Sequence, residues 1–152
     1  MIRACLLSGE EQPFGDAGTI FTEPILADMR KRFHSEVLTT QVYFTEKLSN
    51  RVLAACLVLG ESCIIAINAR FKADPETLAH TLLEEFTHVH QVYEGVDFEA
   101  QRSAFAYTDR PYEVEAKRIA TEILGYEPGD YDVYLIREEP PGPLYDRPAE
   151  TT

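Results

Sequence analysis

Apolar side chains recur at every third or fourth position in three stretches of the chain, and this spacing predicts three amphipathic helices. The first is expected at residues 23–33. The second and longest is expected at residues 75–93, because Asp74 suits the cap position and the following proline suits the first helical turn. The third is expected at residues 112–124, since Gly125 follows it where glycine commonly ends a helix.

Three strand-like stretches lie between the first two helices, at residues 37–44, 52–59 and 63–69. The link between the last two is short and contains a glycine, which suits a hairpin. Residues 131–136 add a candidate final strand. The order of the elements predicts an α+β fold, in which an N-terminal helix and a small, mainly antiparallel sheet precede the two longer helices.

The composition predicts a single domain at residues 1–137, because 152 residues with 45% hydrophobic content suffice for one core. Residues 138–152 differ from the rest: prolines lie among acidic side chains, which predicts an extended or disordered tail. Residues 10–18, which contain proline and glycine, are expected to form a loop.

Acidic residues dominate the charge, since 26 Asp and Glu against 14 Lys and Arg give a formal net charge of −12. A surface of that sign repels phosphate backbones and anionic membranes, so we expect neither nucleic acid nor a membrane as a partner. No apolar run has the length of a signal peptide or a membrane span. Cys5, Cys56 and Cys63 form no CxxC pair and are odd in number, which argues against a disulfide framework. We therefore expect reduced thiols and a cytoplasmic protein.

The predicted long helix has two faces. Its packing stripe follows helical spacing and comprises Leu78, Leu82, Phe86, Val89 and Tyr93, with Leu83 on the flank. Glu84 and His88 lie four residues apart on another edge, where their side chains are neighbours and can converge on one cation. We expect this helix to be packed on the first side and open on the second. An ordinary solvated face of an acidic protein has the same pattern.

The last predicted helix carries a carboxylate at an unusual position. Glu113 falls about 20° from Ala120 and Leu124 around the helix axis, at the edge of the apolar stripe. Burying a carboxylate without a partner costs several kcal/mol, so Glu113 needs a metal or another cation nearby. Glu115 projects from the opposite edge, near Glu122, where water can solvate it.

The residues around these side chains resemble a known family. Residues 82–91, LLEEFTHVHQ, are similar to the active-site helix of zincin metallopeptidases, which carries the motif HExxH. Residues 111–116, PYEVEA, are similar to the glutamate-bearing helix of the gluzincin branch. This resemblance implies a minimal zincin-like domain that hydrolyses peptide bonds with a zinc ion. Carried over by position, Glu85 is the general base, His88 a metal ligand and Glu113 the downstream ligand.

The resemblance covers residues 63–124 and extends to the sheet. The strand expected at residues 63–69 precedes the motif helix, and it is similar to the edge strand on which such enzymes lay an extended peptide substrate. Residues before position 63 are compatible with the family but unspecific.

Two residues depart from the family pattern. Glu84 stands in the position of the first histidine, which gives EExxH, and Lys117 follows Glu113 by four residues where an acidic or amide residue is common. A ligand set of Glu84, His88 and Glu113 contains two carboxylates and one imidazole, which weakens zinc binding or favours iron or manganese. Two functions follow: metal-dependent hydrolysis of a peptide or protein substrate, or a catalytically inactive zincin-fold protein that binds or regulates a partner.

The two other histidines of this helix admit more than one interpretation. His80 lies one turn before Glu84, and it can serve as a substitute ligand, as a hydrogen-bond partner of Glu84, or simply as a surface histidine. His90 lies on the flank of the packing face, where a histidine is more commonly a core residue than a metal ligand. Glu85 and His88 also form an ExxH pair, the half-motif of di-iron carboxylate bundles, but such bundles need two pairs and four helices.

Aromatic and basic residues flank Glu113 in the sequence. Tyr107, Arg110 and Tyr112 can stabilise an oxyanion if they face the site, although aromatic residues at the start of a helix more commonly pack. No serine or cysteine stands in the context of a nucleophile elbow, so the sequence gives no support to covalent catalysis.

Overall fold

The three predicted helices are present, together with three short ones that the hydrophobic pattern does not indicate. The structure is a computed structural model that describes residues 12–46, 48, 52–60, 62–128 and 134–135. The helices in these residues are α1 (Ala17–Ile20), α2 (Glu23–Arg32), α3 (Ser35–Leu38), α4 (Pro75–Tyr93), α5 (Phe98–Ala104) and α6 (Pro111–Leu124). A 3-10 turn at Tyr107–Asp109 precedes α6.

The sheet of the described residues is mixed. Its strands are β1 (Gln12–Gly15), β2 (Gln41–Thr45), β3 (Ala54–Leu59) and β4 (Ser62–Asn68), in the order β1-β2-β4-β3. The β1–β2 and β3–β4 pairs are antiparallel, and the β2–β4 pair is parallel. Two short antiparallel strands, β5 (Phe71–Lys72) and β6 (Tyr134–Leu135), pair separately. The predicted α+β fold is confirmed.

The ends of α4 and α6 follow the local sequence signals. The side chain of Asp74 accepts a hydrogen bond from the backbone N–H of Thr77 at 2.8 Å, which satisfies one of the unpaired amides at the start of α4. Gly125 ends α6 in the left-handed conformation, with φ 83°, which residues with a side chain rarely adopt. The predicted bounds of both helices are correct to within one residue.

Two predictions of local structure are wrong. Residues 37 and 38, expected to begin the strand at residues 37–44, belong to α3, and β2 begins only at Gln41. Val37 is buried in the core from this helical turn, so its apolar character reflects burial rather than strand alternation. Residues 12–18, expected to be loop, contain β1 and the start of α1. Asp16 caps α1 by accepting a hydrogen bond from the backbone N–H of Thr19 at 3.2 Å.

The strand that precedes α4 is not an edge strand. β4 pairs with β2 on one side and with β3 on the other, because the parallel pairing with β2 fills the side that the hairpin leaves open. Within the described sheet, the edge strand next to β4 is β3, which also contacts α4. The edge position expected for residues 63–69 therefore belongs to the strand before them.

The core lies between the sheet and α4. Leu82, Leu83, Phe86 and Val89 of the predicted packing stripe are buried, whereas Tyr93 is 41% exposed and Leu78 is partly buried. Burying each large apolar side chain contributes about 1.5–3 kcal/mol. Ile119 and Ala120 of α6 join the same core, so α4 is covered on two sides.

Several predictions concern residues that the structure leaves undescribed. Cys5, the tail at residues 138–152 and most of residues 131–136 lie outside the described residues. Of the described cysteines, Cys56 is buried and Cys63 is partly buried, and both are in the reduced thiol form. Among the described helices, none has the length and apolar character that crossing a bilayer requires.

Candidate functional site

Helices α4 and α6 pack antiparallel, and this register brings the polar face of α4 onto α6. His88 lies opposite Glu113, and His80, two turns earlier on α4, lies opposite Thr121, two turns later on α6. Both histidines are buried. The expectation that this side of α4 is open is therefore wrong at His80 and His88, because α6 covers it.

The contact between His88 and Glu113 is short and shielded. Nε2 of His88 lies 3.0 Å from Oε1 of Glu113, and the two side chains are 5% and 11% exposed. A carboxylate in so dry a place is stable only with a partner that donates a proton or carries positive charge. The prediction that Glu113 needs such a partner agrees with its position next to His88.

Gln91 requires a proton on Nδ1 of His88 and so determines which ring nitrogen faces α6. The amide Nε2 of Gln91 donates to the carbonyl oxygen of Tyr112 and to the carboxylate of Glu115, each at 2.9 Å. Both partners only accept, so the orientation of the amide is determined and its Oε1 must face His88. That oxygen lies 2.7 Å from Nδ1 of His88. Nδ1 is therefore the donor, and Nε2 is the nitrogen that faces Glu113.

Aromatic rings enclose the imidazole of His88. The centroid of the Tyr112 ring lies 5.6 Å from that of His88, and the ring of Phe98 lies 6.4 Å away, both edge to face. Phe98 comes from α5, a helix that the sequence did not indicate. The backbone N–H of Tyr112 donates to the side chain of Gln101, also on α5, at 2.8 Å. Helix α5 thus closes one side of the site and holds the start of α6.

The acidic surroundings of His88 favour its protonated form. Burial by itself lowers the pKa of His88, but the hydrogen bond to Glu113 and the charges of Glu85 and Glu113 oppose that effect, with a smaller contribution from Gln91. Together they raise the pKa of His88 to about 9. In the metal-free protein at neutral pH, the site is therefore an imidazolium next to carboxylates.

Glu84 does not join His88 and Glu113 in this structure. Its Oε2 lies 2.7 Å from Nδ1 of His80, and Nε2 of His80 lies 3.0 Å from the hydroxyl of Thr121. Among the described residues, the three ligand atoms that lie within 4.8 Å of one another do not come from Glu84, His88 and Glu113. His80 is thus a buried partner of Glu84, and the alternative of a surface histidine is wrong.

The register also relates the positions of Glu84 and Lys117. Since His88 lies opposite Glu113 and His80 opposite Thr121, the midpoint of the interface places Lys117 at the level of Glu84. An acidic residue and a basic one thus stand at the same height on facing helices, with Lys117 exposed.

Two of the three predicted ligands fit a metal ion. Two donors bound to zinc at tetrahedral angles lie about 3.3 Å apart, close to the separation of Nε2 in His88 and Oε1 in Glu113. The hydrogen bond from Nδ1 to Gln91 is the support that metal-binding histidines commonly have. Glu84 fits only if its carboxylate leaves His80.

Glu85, the predicted general base, lies near this pair. Its side chain is partly buried, and its negative charge contributes to the raised pKa of His88. The other candidates beside Glu113 pack instead. The guanidinium of Arg110 lies over the ring of Tyr107, 5.4 Å from its centroid, and Tyr112 packs against His88. The interpretation of Tyr107 and Tyr112 as packing residues accounts for these contacts.

Sequence reasoning missed three members of the site. Gln91 follows His88 by three residues and so shares its face of α4, a spacing that could have identified it. Glu115 was expected to be solvated; the residue is exposed, yet its carboxylate holds Gln91. Phe98 had no signal, because its role depends on how α5 packs.

Comparison of the chain with protein-family models, with curated proteins and with solved structures finds no match.

Proposed function

We propose that the protein is a metal-dependent hydrolase of the zincin metallopeptidase type, and that His88 and Glu113 hold its cation. The observation that supports this most is the orientation of His88. Oε1 of Gln91 accepts a hydrogen bond from Nδ1, which leaves Nε2 facing the Glu113 carboxylate 3.0 Å away. An imidazole positioned by a second hydrogen bond, with its other nitrogen aimed at a carboxylate, is typical of a metal ligand.

The residues of the chain divide the chemistry between them. A bound zinc, iron or manganese ion would supply the Lewis acidity that polarises the carbonyl group of a peptide bond. Glu85 accepts on its carboxylate the proton of the attacking water, as a general base. Phe98 and Tyr112 exclude bulk water from the imidazole, which strengthens its interaction with charge. Glu84 becomes the third ligand once it leaves His80.

The substrate in this proposal is a peptide or protein in extended conformation. β3 is an edge strand of the described sheet and contacts α4, which carries Glu85 and His88. Extended peptides bind to such edges through main-chain hydrogen bonds. A cytoplasmic location, expected from the charge and the cysteines, is part of the same proposal.

A second candidate is a catalytically inactive protein that keeps the zincin arrangement and binds a partner. The observation that favours it is the hydrogen bond between Glu84 and His80, which withholds one of the predicted ligands. The low exposure of His88 and Glu113 favours it too, because a substrate must reach a catalytic site. In this case the buried pair holds α4 to α6 and needs no metal.

The Glu85→Gln variant tests the proposed mechanism. With zinc-loaded protein and fluorescently labelled casein as a general substrate, hydrolysis is expected to fall by at least about 100-fold, because the general base is lost. Metal content, measured by elemental analysis, is expected to stay at the wild-type level. Glu99→Gln on the exposed face of α5 is the matched control and is expected to retain activity. Unchanged hydrolysis in Glu85→Gln rejects the mechanism.

The same measurements separate the two candidates. Wild-type protein that carries a stoichiometric transition metal and digests casein supports the hydrolase. A folded wild-type protein that takes up no metal at His88 and digests nothing supports the binding protein.

A further inference from the structure

A second group of metal-binding side chains lies at the C-terminal end of α4. His90 and Glu94 are four residues apart on adjacent turns at the end of that helix, and His34 comes from the junction between α2 and α3. One potential ligand atom from each residue lies within 4.8 Å of the other two. We call these three residues the corner cluster. They share no side chain with the pair of His88 and Glu113.

The corner cluster is already held together by hydrogen bonds. Nε2 of His34 lies 2.5 Å from a carboxylate oxygen of Glu94. The backbone N–H of His34 donates to Nδ1 of His90 at 3.3 Å, and the centroids of the two imidazole rings are 5.0 Å apart. The side chains of His34 and Glu94 are 43% and 51% exposed, so an ion can reach them from solvent.

The hydrogen bond to His90 leaves the cluster ready for a cation. Nδ1 of His90 accepts a hydrogen bond from the backbone N–H of His34, so that ring nitrogen carries no proton of its own. Metal ligands must be unprotonated in the same way. At 3.3 Å the bond is longer than most N–H hydrogen bonds, so a cation displaces it at little cost.

The end of α4 also favours positive charge. Glu94 is the C-cap residue of this helix, whose last carbonyl groups carry partial negative charge. A carboxylate at that end is unfavourable unless a cation lies nearby. A divalent ion at the corner cluster would compensate both the carboxylate and the helix end.

We propose that His34, His90 and Glu94 form a binding site for a divalent transition-metal ion such as zinc, separate from the proposed hydrolase site. Two imidazoles and one carboxylate are a donor set that zinc takes readily, with water in the fourth position. The ion links the α2–α3 junction to the end of α4, two parts of the chain that are distant in sequence. The site thus stabilises the corner of the fold next to the proposed hydrolase helix.

Zinc titration of the full-length protein tests this proposal. Calorimetric titration with zinc chloride compares wild type with His34→Gln and Glu94→Gln, whose exposed side chains can be replaced without disturbing the core. In each variant the affinity for one zinc equivalent is expected to fall by at least about tenfold, because loss of a residue that only supports a ligand commonly lowers metal affinity by that factor. Glu36→Gln, a nearby exposed acidic residue, is the control for loss of charge and is expected to match wild type.

The comparison remains informative if the hydrolase proposal fails. His34→Gln leaves His88 and Glu113 intact, so the variant is expected to bind one zinc equivalent more weakly than wild type whether or not the buried pair binds metal. Equal stoichiometry and affinity in wild type and both corner variants overturn the proposal. A second readout needs no variant: zinc is expected to slow modification of His34 by diethyl pyrocarbonate, mapped by peptide mass spectrometry. An unchanged rate of modification at His34 also overturns it.

Discussion

Nε2 of His88 lies 3.0 Å from Oε1 of Glu113. This contact joins α4 to α6 through two residues that are 25 positions apart in the sequence. Both side chains are too buried for water to take the place of the partner's hydrogen bond, so each is stabilised by the other. Gln91 binds Nδ1 of His88 and thereby determines that Nε2 is the ring nitrogen that faces Glu113. The proposed metal site consists of this pair and its support.

The pH dependence of stability is expected to come largely from His88 in the metal-free protein. Its pKa is about 9 in the folded state against 6.5 in the unfolded chain, so the folded state binds the proton more tightly. The stabilisation is fully present below about pH 6.5 and is lost as pH rises to 9, on the order of 3 kcal/mol. Urea unfolding in EDTA between pH 6 and 9 measures it.

The matched variant for that experiment is His88→Gln, which keeps a polar side chain but cannot titrate. Its stability is expected to change much less between pH 6.5 and 9 than that of wild type. The same pH dependence in both proteins would assign the effect to other groups.

Gln91 is expected to control metal affinity without contacting the metal. Gln91→Leu removes the acceptor for Nδ1 of His88, so either nitrogen of the imidazole can carry the proton. Zinc affinity, measured by competition with a chromogenic chelator, is expected to fall by about 10–100-fold. Glu115→Gln still offers Gln91 an acceptor, so its effect is expected to be smaller. Equal affinities for wild type and Gln91→Leu would show that Gln91 orients no ligand.

The helices α4 and α6 could be predicted because their signals are local. Asp74, Pro75 and Gly125 define helix ends by backbone chemistry that needs no distant residue. The short helix α3 could not be predicted, because a buried apolar residue such as Val37 is equally compatible with a strand and with a helix. Helix α5 has no buried residue of its own and hence no apolar stripe.

The candidate site was predictable only in part, for a related reason. The spacing of Glu84 and His88 places them on one face of α4, and the motif singled out Glu113, but no sequence pattern gives the register between two helices. In that register His80 is buried and forms a hydrogen bond with Glu84, and Gln91 faces α6. Tertiary packing therefore decided which polar residues meet.

Placing a histidine at position 84, as in the HExxH motif, is expected to strengthen zinc binding. Glu84→His supplies an imidazole in place of a second carboxylate, and zinc prefers the resulting His, His and Glu set. Affinity is expected to rise by about tenfold or more. Glu84→Gln is the control, because it also weakens the bond to His80 but adds no imidazole. Unchanged affinity in Glu84→His would mean that position 84 faces away from the site.

The central claim is that His88 and Glu113 bind a metal together, and zinc-edge diffraction locates the ion directly. Crystals of the wild-type protein grown with zinc chloride are expected to give an anomalous difference peak within bonding distance of both Nε2 of His88 and Oε1 of Glu113, with Gln91 still bound to Nδ1. Zinc-soaked crystals in which no peak lies there, and in which the two atoms keep their direct hydrogen bond, would contradict the account.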